Sequence, residues 1–479
     1  MLRKTEFMLS DSFEVSGEWW LSNNPALKLR GRFTYSPDSI ELEVDGCFDD
    51  LAASDLAATT TKFQSHESIQ GVSSDGQKFT LLKCYASSIS TTTNYDVLHI
   101  ITGKHVGGMT DLKVNAATFY CRHLEAYLGQ QLLKFESDGE GEALKACSVT
   151  YKQPPTIKSR IESISTTLEI KTSVTWTPNP NEHSQKLRAR SHIALTPDSP
   201  KNLSWFLERS TQFCHFLNLV TEEVASPTGF KVFVEGDAYP GWYLYQTGKR
   251  IERSESNAPL LLFYHGHLHD QFETMLNNWF SASETLLDSI YLMMDAQRTV
   301  GHSTSGRFLL LAHAVEVISR ATTSSEYMPA NEYEGVIQAM NSAIPTGVKS
   351  DHRMSLKSRI KYGNEFALHK RIKLLLESLT EEARKIVCVD VGKFSRGIAD
   401  TRNYYTHFTD ELRPKALPAV PMYWASEKLS FLMRIELLRY LGIAEDTIVK
   451  QLNGHHRIGQ RIRLSKEHLE VVATVRKKK

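Results

Sequence analysis

Ile398-Ala-Asp-Thr-Arg-Asn-Tyr-Tyr-Thr-His407 is the stretch from which the rest of the chain is read. At about 100° per residue, Val391, Phe394, Ile398, Thr401, Tyr405, Phe408 and Leu412 fall on one mostly apolar helical stripe. Arg396, Asp400, Asn403 and His407 form a second stripe nearly opposite. Arg402 stands on the shoulder between them, because a residue and its fifth successor lie about 140° apart on an ideal helix. Its long stem must bend toward a groove, or the helix must loosen near His407. Leu412-Arg413-Pro414 puts the helix end soon after, since proline disfavours helical geometry in the residue before it. The spacing predicts a helix over Val391–Thr409, with Tyr405 in the core.

The two basic residue types carry distinct chemistry. An imidazole moves a proton near neutral pH. A guanidinium holds a phosphate through two parallel hydrogen bonds and stabilises the charge that builds on it. Arg402 and His407 therefore offer two parts of a metal-free RNA-cleaving site, although the same pair also fits an ordinary solvated helix face.

The segment resembles the R-x4-6-H signature of the HEPN superfamily of ribonucleases, with the polar Asn403 directly after the arginine. Arg307-Phe-Leu-Leu-Leu-Ala-His-Ala-Val-Glu316 resembles a first HEPN helix, whose apolar run ends in an acidic residue. A long β-rich N-terminal half ahead of such a domain resembles the ApeA-like branch, associated with bacterial anti-phage defence. The resemblance implies a homodimer with its active groove at an isologous interface, working without a cofactor. One His407 would deprotonate the 2′-hydroxyl while its mate, or a water, protonates the departing 5′-oxygen. Arg402 would clamp the scissile phosphate, and Asn403 would orient the imidazole or the phosphate. Products would carry a 2′,3′-cyclic phosphate or its hydrolysed form.

The same resemblance makes RNA the expected partner, with tRNA among the candidate substrates, and abortive infection the expected outcome. A phage-derived signal, sensed by the N-terminal half, would be the trigger. Supporting positions are Asp400, Tyr404 (a candidate to stack on a base) and Glu316 (a candidate to orient a catalytic group or pair with a basic side chain). HEPN toxins paired with nucleotidyltransferase antitoxins carry a modified tyrosine two places after the histidine. Here that place is Thr409, so such control is not expected.

Composition bounds the alternatives. A length of 479 residues suggests two or three domains. With 41% hydrophobic and 23% charged residues the chain matches ordinary soluble proteins. A net charge of +1 means that RNA affinity must come from local patches. Six scattered cysteines without a C-x-x-C pair point to reduced thiols. Neither a signal peptide nor a membrane-spanning run is evident, so a cytoplasmic protein without a membrane partner is expected.

The fold class expected is α+β multidomain: a β-rich half (sandwich or open barrel) followed by an all-α helical bundle. Leu27, Leu29, Phe33 and Tyr35 alternate with polar residues, as do Ile40, Leu42 and Val44 beyond the turn at Ser36-Pro37. The expected divisions are a regulatory β-rich domain over 1–264, with a further split near 150–200, and connecting helices over 265–300. A HEPN helical domain over 301–450 and a basic tail over 451–479 would follow.

Two other clusters compete with the Arg–His pair. His265, His267 and His269 alternate as on a strand and would project to one face, as zinc ligands can; a metal-dependent hydrolase is the corresponding alternative. Arg353, Lys357, Arg359, Lys361, Lys370 and Arg371 could track RNA phosphates, with Tyr362 and Phe366 interleaved to stack on bases. A solvated helix face and loop explains the same charges. A third reading keeps the helical domain as a non-catalytic module that binds RNA or a protein.

Overall fold

The computed structural model describes residues 6–48, 65–109, 112–139, 145–179, 181, 183–234, 236, 239–247, 260–298, 303–323 and 326–476. The chain divides between Phe280 and Ser281 into two compact units.

The first unit begins with β1 (Phe13–Leu21), β2 (Asn24–Tyr35), β3 (Ile40–Asp45), β4 (Ser65–Ser73), β5 (Lys78–Ile89) and β6 (Thr92–Thr102). These pair antiparallel in the order β6-β3-β2-β1-β4-β5, and β5 pairs back onto β6. The expected sandwich or open barrel is thus a closed six-stranded barrel with further strands attached. Closure leaves its strands no free edge. Alternation decides what faces inward on β2 and β3: Phe33, Tyr35, Ile40, Leu42 and Val44 are buried while Arg32, Thr34, Glu41, Glu43 and Asp45 are exposed, and Trp19 and Phe79 join them in the core. Outside, Arg32 pairs in register with Glu43, so the two charged rows flanking the hairpin turn face each other. Gly71 sits opposite Trp19, and a Cβ there would overlap the indole ring.

The remaining strands lie outside the barrel. They are β7 (Val114–Cys121), β8 (Leu133–Asp138), β9 (Ala146–Tyr151), β10 (Ile157–Ile161), β11 (Thr166–Asn179), β12 (Ser184–Pro197), β13 (Pro227–Val234) and β14 (Gly241–Tyr245). The order β10-β11-β12-β7-β13-β14 joins the barrel through β6, and β8 and β9 form a separate ribbon. After the short α1 (Leu124–Leu128), the long α2 (Leu203–Thr221) covers one face, with Phe213 edge-on to Phe119 at 5.9 Å. Asn202 caps α2 by accepting from the Trp205 N–H. The short α3 (His265–Leu268) and α4 (Phe272–Phe280) close the unit.

The second unit is helical: α5 (Glu284–Arg298), α6 (Thr304–Thr322), α7 (Ala330–Ser342), α8 (Ser350–Lys361), α9 (Leu368–Glu377), α10 (Glu381–Val387), α11 (Val391–His407), α12 (Ala419–Tyr440), α13 (Glu445–Gly454) and α14 (His456–Arg476). Its centre is α12, buried along nearly its whole length, and α6 packs against α5, α9, α11 and α12. By contrast, α7 and α8 pack on each other and have no buried residue.

One expectation needs correcting at the end of the chain. Residues 451–454 end α13 and 456–476 form α14, and Leu452, Ile458 and Ile462 are buried, so the described part of this segment is no solvated basic tail. Beside those apolar contacts, the buried carboxylate of Glu427 on α12 accepts from Arg307 at 2.6 Å and from Arg461 of α14 at 2.9 Å. A buried charge left unpaired is costly, so the arginine of the presumed tail is drawn inward. Among the described residues, no helix is long and apolar enough to cross a membrane.

Candidate functional site

Helix α11 carries the central residues. Its start is fixed by Asp390, whose Oδ1 accepts from the Lys393 N–H at 2.9 Å. Ile398 and Thr401 are buried, as the apolar stripe requires, and Ala399 is buried beside them. The Thr401 Oγ1 donates to Gly397 and accepts from the Leu417 N–H at 2.9 Å, which ties the chain beyond the helix back to it. The helix ends at His407, two residues before the expected end, where Phe408 adopts φ 51°. That left-handed residue breaks the repeat, and its N–H closes on the Tyr404 carbonyl at 2.6 Å.

The burial of the apolar stripe stops short of its end. Tyr405, expected in the core, is half-buried, and Phe408 is 64% exposed. Tyr404, Tyr405 and Phe408 pack edge to face, with ring centroids 5.1 to 5.9 Å apart. His407 is exposed beside them and has no side-chain partner among the described residues.

Arg402 lies on a different side. Its Nη2 donates to Glu316 Oε2 on α6 at 2.7 Å, and its Nη1 to Asn403 Oδ1 at 3.1 Å. Glu316 also pairs with Arg320 at 3.4 Å. Burial pushes the Glu316 carboxyl up, but the charges and hydrogen bonds of the two arginines outweigh it and hold the group below its usual range. Arg320 in turn meets Glu365 at 2.6 Å, and Glu365 meets Arg371 at 3.5 Å. The result is a chain of alternating charges running from α11 across α6 to α9.

Arg402, Asn403, Asp400 and Glu316 line one cleft of about 550 Å³ between α6, α9 and α11. His407 and Tyr404 are not among its lining residues: His407 continues the stripe of Arg396, Asp400 and Asn403 but stands at the last position of the helix, one turn beyond Asn403. Within one chain, the guanidinium and the imidazole therefore do not share a pocket. The cleft also contains His369, from the first turn of α9, and Phe366, just before it. Sequence reading missed His369, because nothing in linear spacing ties it to Arg402.

Two candidate sets require correction. Arg371 cannot contact RNA: it is fully buried, and its Nε donates to the Phe366 carbonyl at 2.8 Å. It sits on the inward face of α9 with Ile372 and Leu375. Lys370 lies over the Phe366 ring at 5.5 Å, and Arg353 donates to the Pro345 carbonyl at 2.7 Å. Lys357, Arg359 and Lys361 remain exposed on α8.

The second correction concerns the histidine triplet. His265 and His267 lie on the short α3 and His269 on the 3-10 turn after it, so the expected strand and its common face are absent. His265 packs edge-on against Phe272 at 4.9 Å, and burial, then the neighbouring His269, pushes its pKa down. His267 accepts from the Tyr264 N–H at 3.4 Å, and His269 faces Asp270 at 2.9 Å. His265 and His269 also meet edge-on, with ring centroids 6.4 Å apart, while His267 packs edge-on to Tyr264. Among the described residues, no group of three or more His, Cys, Asp or Glu side chains is placed to hold a metal ion.

Two family profiles match the sequence. The one described as ApeA N-terminal domain 1 covers residues 14–279, and the one described as Apea-like HEPN covers residues 309–447. Comparison with curated proteins and with solved structures returned no match.

Proposed function

The chain belongs to the ApeA family, with an Apea-like HEPN domain in its helical unit, and from that premise we propose that it is a metal-independent endoribonuclease of anti-phage defence. HEPN membership supports a ribonuclease-type defence role in general. The observation that carries the specific reading is the placing of Arg402: anchored by Glu316, it lines an open polar cleft, while His407 stands exposed at the end of the same helix.

RNA cleavage without a metal requires a base for the 2′-hydroxyl, an acid for the departing 5′-oxygen and positive charge at the phosphate. A single chain supplies one imidazole, at the helix end and outside the lining of its own cleft. Two copies related by a two-fold axis supply both imidazoles and bring each toward the other's arginine. The incompletely buried Tyr404, Tyr405 and Phe408 beside His407 support that arrangement, since a second copy would cover them. Arg402 then holds the scissile phosphate, and Asn403, hydrogen-bonded to it, keeps the guanidinium in plane. The products carry a 2′,3′-cyclic phosphate.

In the same reading, the exposed cations of α8 track RNA phosphates, tRNA or other cellular RNA is cut, and the β-rich unit holds the activity in check until infection. The test is incubation of the full-length protein with tRNA and total RNA in excess chelator. Cleavage that persists there, leaves cyclic phosphate ends and disappears in His407→Ala supports the enzyme. Binding without cleavage identifies a non-catalytic RNA-binding module. For the defence role, phage plating efficiency on cells expressing the full chain is compared with that on cells expressing His407→Ala.

A further inference from the structure

The cleft beside Arg402 contains more donor groups than one scissile phosphate needs. Arg402 is already engaged by Glu316 and Asn403. Arg396 and His369 line the same cleft, both exposed, and neither side chain has a hydrogen-bond or ionic partner among the described residues. Arg396 lies six residues before Arg402 on α11, a rise of about 9 Å. His369 comes from a different helix, α9. Phe366 adds an aromatic wall, held edge-on to Tyr327 at 4.7 Å. Asp400, one turn from Arg396, places a carboxylate acceptor there.

A free guanidinium, an imidazole, an aromatic face and an acceptor match the parts of one ribonucleotide: phosphate, base and sugar hydroxyl. Glu316 does not repel that phosphate, since its charge is countered by Arg402 and Arg320. Asp400 is the one carboxylate of the cleft without an ionic partner among the described residues, and a carboxylate favours a hydroxyl donor over bare phosphate.

We propose that this cleft is a subsite for the nucleotide flanking the scissile phosphate of single-stranded RNA. Arg396 and His369 bind the flanking phosphate, Phe366 takes the face of the base, and Asp400 accepts from the 2′-hydroxyl. The subsite rests on the ribonuclease reading for its register along the strand. It selects RNA over DNA through Asp400, independently of the cleavage step.

The test separates the two. Full-length protein carrying His407→Ala, which cannot turn over substrate on the proposed mechanism, is titrated with a fluorescein-labelled single-stranded RNA 12-mer of mixed sequence and with its DNA counterpart. RNA should bind more tightly than DNA. Arg396→Gln and His369→Gln should each weaken RNA binding by about tenfold, the loss of one charge-assisted hydrogen bond. Arg396→Lys should retain part of the affinity, and none of these variants should shift the Tm. Asp400→Ala should bring the RNA and DNA affinities together. These results in a protein whose unmutated form does not cleave RNA would sink the ribonuclease reading and keep the subsite. Unchanged affinity in Arg396→Gln and His369→Gln, or no binding of the 12-mer by the parent, overturns the subsite even if cleavage depends on His407.

Discussion

The carboxylate of Glu316 and the guanidinium of Arg402 stand 2.7 Å apart, on helices separated by 86 positions in sequence. That pair fixes where the arginine points. It also forms the first link of a charge network that continues through Arg320 and Glu365 to the buried Arg371.

Removing the Glu316 charge tests the anchor. Its folded pKa is held below the usual carboxylate value, so its contribution to stability is fully present above the unfolded pKa and is lost as pH falls through the folded one. Glu316→Gln is expected to cost about 1–3 kcal/mol at neutral pH. The difference from the parent should shrink in acid below about pH 4. Thermal melts across that range check it, and equal Tm values at neutral pH contradict it.

His407 and Arg402 should separate chemistry from folding. His407 is exposed and without a side-chain partner among the described residues, so His407→Ala should leave the Tm unchanged while cutting the RNA cleavage rate by about 10²–10⁴-fold. Arg402→Lys keeps the charge but loses the planar fork, and about a 10²-fold loss is expected. Both rates are measured in chelator.

On α8, the exposed Lys357, Arg359 and Lys361 should contribute to RNA affinity and not to stability. Replacing all three by alanine should reduce the slope of log affinity against log salt by about 2, at roughly 0.7 per phosphate contact on a single strand. A titration at several salt concentrations reads this directly, and an unchanged slope removes α8 from the RNA path.

Arg371 should behave in the opposite way. Arg371→Ala leaves Glu365 without one partner and a cavity where a fully buried side chain stood, so about 3–5 kcal/mol of stability should be lost. Arg371→Met, which refills the space, should cost less. Urea unfolding distinguishes them, and a surface-like effect below about 0.5 kcal/mol would contradict the burial.

Glu436 supplies a second pH signal, of opposite sign. Burial pushes its carboxyl up to about 7, against the pull of Arg439. The folded chain therefore keeps a proton that the unfolded chain has released, and stability falls as pH rises toward about 7. Glu436→Gln should flatten that fall and leave the variant more stable than the parent in mild alkali, by about 1–3 kcal/mol. A parallel pH dependence in the two proteins would show that Glu436 titrates normally.

Local pattern alone made much of the architecture legible. Strand alternation placed Phe33, Tyr35, Leu42 and Val44 inward, and helical periodicity put Ile398 and Thr401 on the buried side of α11. Both follow from side-chain repeats that belong to the element itself. Tertiary structure decided everything that depends on which elements meet. It closed the barrel through β5 and β6, buried Arg371 and drew Arg461 to Glu427. It put the three histidines near 265 on a short helix and turn in place of a strand, and brought His369 into the cleft of Arg402. The physical reason is that spacing along a chain specifies a face. Whether a charge on that face stays in water or is paired inside depends on groups brought together from distant parts of the chain.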